Sequence, residues 1–93
     1  MSRMTYVTVT ERQNLPAEQK AAMAQVLRRI TLSKNLNMER MRKEIYRRYY
    51  GLSGRRIGTM EEIGNVYDVT KSRVQQIVIE IDNIIGPVLE NMN

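Results

Sequence analysis

The residues best suited to act on a partner stand together at 71–76, where the chain reads KSRVQQ. Lys71 and Arg73 can donate to guanine or phosphate, Gln75 and Gln76 can pair with adenine, and Ser72 can serve either base. Carried on the exposed side of a helix, this set suits a DNA major groove. Covalent chemistry is poorly provided for. The chain has no Cys and no His, which excludes a thiol nucleophile, a disulfide framework, a zinc finger and a His-based triad. The adjacent carboxylates Glu61 and Glu62 are better explained by helix capping and the helix dipole than by acid–base work. Neither enzymatic activity nor a metal or other cofactor is expected.

Charge sharpens the reading. The 93 residues carry 15 Lys plus Arg against 10 Asp plus Glu, a net +5. Residues 28–56 hold ten basic and two acidic groups, whereas residues 74–93 hold three acidic groups and no basic one. A basic middle beside an acidic, apolar tail implies one surface for a polyanion and another for protein. Arg47, Arg48, Arg55 and Arg56 are candidate phosphate contacts in the basic stretch.

The elements that would position these groups are mostly helical. Val7 and Val9 alternate with Thr8 and Thr10 in a strand-like period of two, so residues 1–15 read as an N-terminal arm. Pro16 fits the first position of a helix whose stripe is Ala22, Met23, Val26, Leu27 and Ile30. After the polar break SKNLN, Asn37 is expected to cap a second helix from Met38 to Gly51, burying Met38, Met41, Ile45 and Tyr49. A loop, SGRRIG, spans 53–58. Thr59-Met60-Glu61-Glu62 forms a capping box that should start a short helix to about Tyr67. Asp68 and Val69 break it, and Thr70 caps a last helix from Lys71 to about Ile85, where Gly86-Pro87 should stop it. These elements predict an all-α fold, a small bundle of four to five helices, with residues 16–93 forming one domain.

Two helices joined by about three residues describe a helix-turn-helix over 59–85. Met60, Ile63 and Tyr67 face inward from the first helix, and Val69 plugs the turn. Val74, Ile77, Val78 and Ile81 face inward from the second. Gly64 stands where the two helices should cross most closely. The N–H groups at the start of the second helix can also hold a phosphate.

Arg48-Tyr-Tyr-Gly-Leu52, followed by TMEEIGNVYDVTKSRVQQI at 59–77, resembles region 4 of bacterial primary sigma factors. That family reads roughly R-x-R-F-G-(I/L), a loop, then T-L-E-E-(I/V)-G-x-x-F-x-V-(T/S)-R-E-R-I-R-Q-I. The likeness covers about residues 40–80. It implies promoter recognition, with this helix in the major groove of the −35 element and other parts on the RNA polymerase β-flap. Lys71 and Arg73 match basic positions of the family's R-E-R, and Gln76 matches its Gln. Thr59, Met60, Glu61 and Thr70 stand at the helix starts, where the family approaches phosphates. Ser72 replaces a Glu that reads cytosine, and Gln75 replaces an Arg that reads guanine, so the usual −35 sequence is not the expected target. No segment resembles region 2, which handles the −10 strand, so a self-sufficient sigma factor is not expected. The alternative is a region 4 mimic that binds polymerase or a sigma factor without reading DNA.

The tail keeps Ile84, Ile85, Val88 and Leu89 in phase with the preceding stripe. It is expected to form a protein contact, either in a homodimer or against a polymerase subunit. No apolar run approaches the roughly 20 residues of a membrane span, and MSRMTYVTVTERQ lacks the apolar run of a secretory signal. A cytoplasmic location without membrane partners is the expectation.

Overall fold

Four helices build the structure, a computed structural model that describes residues 16–52 and 58–91: α1 (Ala17–Arg29), α2 (Leu36–Tyr50), α3 (Met60–Tyr67) and α4 (Lys71–Asn91). The small all-α bundle expected from the sequence is what forms. The arm at 1–15 and the candidates Arg55 and Arg56 lie outside the described residues.

Pro16 serves as the N-cap of α1 rather than its first helical residue, and its carbonyl accepts from Gln19 and Lys20 at 3.0 and 3.1 Å. Glu18 in the first turn and Arg28 and Arg29 in the last complement the helix dipole. Met23 and Leu27 are its buried face.

α2 begins two residues earlier than expected. Asn35, not Asn37, is the cap, and its side chain accepts from the N–H groups of Asn37 and Met38 at 2.9 and 3.1 Å. The earlier start brings Glu39 into reach of the incoming loop. Its carboxylate accepts from Leu32 and Ser33 N–H at 2.6 and 2.8 Å and pairs with Lys43 at 2.9 Å. Desolvation is the largest single influence on this carboxyl and raises its pKa. The hydrogen bonds from Lys43, Leu32 and Ser33, with the charge of Lys43, outweigh it and leave the pKa below the ordinary value.

The buried face of α2 also differs from expectation. Ile45, Tyr46, Tyr49 and Tyr50 are buried, while Met41 is only partly so and Met38 lies half-buried near the outer end. The C-terminal half of the helix is the half sunk in the bundle. It can be, because the Tyr46 and Tyr50 hydroxyls donate to the Asp82 carboxylate at 2.6 and 2.5 Å, which satisfies the two polar tips. The rings of Tyr46 and Tyr49 each meet Tyr50 edge-on at 4.9 Å between centroids. Gly51 ends the helix in the left-handed region at φ 65°, as its lack of a Cβ allows.

α4 packs against each of the other three helices. It contributes Val74, Ile77, Val78, Ile81 and Ile85 to a core completed by Met23, Leu27, Ile63 and the buried residues of α2. Contrary to expectation, Gly86-Pro87 does not stop it, and the helix runs on to Asn91. Pro87 cannot donate to the carbonyl of Asn83 four residues back, yet both residues face solvent, where that carbonyl can be hydrated. Leu89, packed on the core beyond the proline, gives the last turn a reason to continue.

Candidate nucleic-acid interface

The site is built on α3, a three-residue turn and the start of α4. The capping box of α3 is formed in both directions: Glu62 N–H donates to Thr59 Oγ1 at 3.1 Å, and Thr59 N–H donates to Glu62 Oε1 at 2.9 Å. Asp68 ends the helix in the left-handed region at φ 58°, and Val69 N–H donates to the Gly64 carbonyl at 2.8 Å. The turn is thereby folded back over Gly64. A Cβ there would lie 2.6 Å from the Val69 carbonyl oxygen, 3.5 Å from Thr70 C and 3.6 Å from Lys71 N. The close approach expected at Gly64 is real, but what approaches is the backbone of the turn, not the side of the second helix. Thr70 then caps α4, its Oγ1 accepting from Arg73 N–H at 3.0 Å and its carbonyl from Val74 N–H at 3.0 Å.

These anchors fix which side of α4 meets solvent. Val74, Ile77 and Val78 are buried, whereas Lys71, Ser72, Gln75 and Gln76 are exposed. Arg73 is half-buried, and one of its terminal nitrogens donates to Gln76 Oε1 at 3.4 Å. Val69 and Met60 pack partly against the core, and Thr59, Glu61 and Thr70 are exposed at the two helix starts. The structure thus leaves Thr59, Glu61, Thr70 and most of the groove candidates open to solvent.

The basic candidates of α2 divide into two groups. Arg42 pairs with Glu80 at 3.3 Å, and Lys43 binds Glu39 and the Arg28 carbonyl. Arg48 lies over the ring of Tyr67 at 5.8 Å from its centroid, with its Nε buried. Tyr67 in turn donates to Glu44 at 2.7 Å, so these contacts fasten the end of α3 to α2. Arg48 is a packing residue as much as a surface cation. Arg40 is exposed and Arg47 half-buried, and neither forms a salt bridge among the described residues.

Of the four tail residues expected at a protein contact, Ile85 is fully buried within the chain and Leu89 packs on the core. Ile84 and Val88 remain 42% and 40% exposed. Sequence reasoning missed Asp82 as the acceptor that orients α2 on α4. The available signal was a carboxylate beside the apolar stripe of the last helix, with two tyrosines four residues apart on a facing one.

No helix among the described residues is long and apolar enough to cross a membrane. In comparisons with protein-family models, curated proteins and solved structures, nothing matches this chain.

Proposed function

We propose that the chain is a DNA-binding transcription regulator, with α3, the turn and α4 acting as a helix-turn-helix of the sigma region 4 type. In this reading the first turns of α4 enter the major groove. Lys71, Ser72, Arg73, Gln75 and Gln76 read base edges, while Thr59, Met60, Glu61 and Thr70 approach the backbone with the helix N–H groups. Arg47 adds sequence-independent attraction.

The observation that carries the reading is the division of α4. Its donors and amides at 71, 72, 75 and 76 face solvent, while the alternate apolar positions are buried and hold the helix in place. The polar end is backed by a hydrogen-bonded turn and a capped partner helix. The resemblance of residues 40–80 to sigma region 4 adds RNA polymerase, through its β-flap, as the proposed protein partner.

Selection of bound sequences from random duplex DNA, with and without RNA polymerase, tests the proposal. A groove reader enriches a motif, and its affinity falls steeply as salt rises. Retention on polymerase with no duplex enrichment would favour the mimic instead, to which the acidic tail is suited.

A further inference from the structure

Ile79 is an apolar residue of α4 that the core does not use. It is half-buried, yet among the described residues it belongs neither to the buried set nor to the partly buried side chains packed on that set. The winding of the helix explains why. At about 100° per residue, Ile79 lies about 20° from the direction of Ser72 and between those of Gln75 and Gln76. All three of those residues are exposed. The buried positions Val74, Ile77, Val78, Ile81 and Ile85 are each turned about 100° or more away from it.

Ile79 therefore continues the row of groove candidates by one turn, not the apolar stripe. Along the axis it stands about 4.5 Å beyond Gln76 and about 10.5 Å beyond Ser72. The longer distance is about three base pairs of duplex, so Ile79 stays over the short stretch that its polar neighbours would read. Glu80 follows it, but that carboxylate pairs with Arg42 at 3.3 Å and leaves the helix about 100° further round.

An isoleucine side chain neither donates nor accepts, so it adds nothing to hydrogen-bond readout. The apolar group that a base pair presents in the major groove is the C5-methyl of thymine. We propose that Ile79 is a further specificity residue, which packs on the C5-methyl of a thymine next to the bases met by residues 71–76. The proposal rests on the reading of α4 as the groove helix. It adds to that reading a preference that the polar side chains cannot supply, because thymine and uracil offer them the same acceptor.

That difference supplies the test. In a duplex recovered by selection, each thymine is replaced in turn by uracil, which removes only the methyl. Affinities of the parent and of Ile79→Ala are read by fluorescence anisotropy, and helicity by circular dichroism. In the parent, one thymine should stand out, its uracil duplex binding about fourfold more weakly, as expected for one buried carbon. Ile79→Ala should bind the thymine duplex at least that much more weakly, and uracil at the same place should then cost nothing further. Its affinity for nonspecific duplex should match the parent's.

Ile79→Val, which removes a single carbon, carries the same comparison if the alanine variant loses helicity. Loss of helicity in both would make Ile79 a core residue and overturn the proposal. So would a parent indifferent to every methyl, or a methyl effect of the same size in parent and variant. Each of these results leaves groove reading by 71–76 standing. Failure of selection to enrich any duplex would instead remove that reading, and this inference with it.

Discussion

Replacing Gly64 by alanine asks the turn for space it does not have. The new Cβ would lie 2.6 Å from the Val69 carbonyl oxygen, closer than side-chain carbons approach backbone oxygen. The opposing atom cannot swing aside, because the turn is held by the Val69 N–H bond to Gly64 and by the Thr70 cap on Arg73. Overpacking of this kind costs about 1–3 kcal/mol, and a fixed backbone target puts it near the top of that range. Against this, alanine in a helix gains about 1 kcal/mol over glycine. The net expectation is a loss of about 2 kcal/mol, a large share of a small domain's stability of roughly 5–15 kcal/mol.

Gly86 supplies the internal control. It is also helical, but a Cβ there meets nothing within 4 Å, so Gly86→Ala should stabilise by about 0.5–1 kcal/mol. The same chemical change should therefore move stability in opposite directions at the two sites. Urea unfolding followed by far-ultraviolet circular dichroism reads both, with the slope checked for constancy. A Gly64→Ala protein as stable as the parent would refute the tight turn on which the placement of α4 rests.

Three further outcomes follow from particular contacts. Asp82→Asn removes a charged acceptor from two buried tyrosine hydroxyls and should cost about 1–3 kcal/mol in urea, less than additively with Tyr50→Phe because the two share a bond. Arg47→Ala should lower the slope of log affinity against log salt on nonspecific duplex by about 0.9, whereas Arg42→Ala, whose cation is engaged by Glu80, should lower it less. Glu39 has a pKa below its unfolded value, so the unfolded chain binds more protons just below that value. Its contribution is present above the unfolded pKa and is lost as pH falls through the folded one. Acid titration of stability should therefore be shallower in Glu39→Gln, and an unchanged profile would remove Glu39 from that role.

Local signals in the sequence were good guides where the interaction is itself local. The Thr59–Glu62 capping box, the Gly51 terminus and the Thr70 cap each depend on residues within four positions, and each forms as the spacing predicts. The buried positions of α4 follow from its three- and four-residue periodicity. The start of α2 was less legible, because Asn35 and Asn37 are both competent caps. The choice between them turns on Glu39 gathering Leu32 and Ser33. The burial of Tyr46 and Tyr50 depends on Asp82, more than 30 residues away, which no local pattern encodes. Pro87 misleads for a similar reason: whether a proline ends a helix depends on where the carbonyl four residues before it lies and on what packs beyond it.

The central claim is that duplex DNA is read by the first turns of α4. Amide chemical-shift mapping tests it most directly, by titrating labelled protein with a duplex recovered by selection and following each N–H. The account predicts the largest perturbations at residues 70–76, smaller ones at Thr59 and Glu61, and none at Ile84 or Val88 beyond any change from self-association. Perturbations centred on the last turns of α4, or none at 70–76 under saturating duplex, would contradict it.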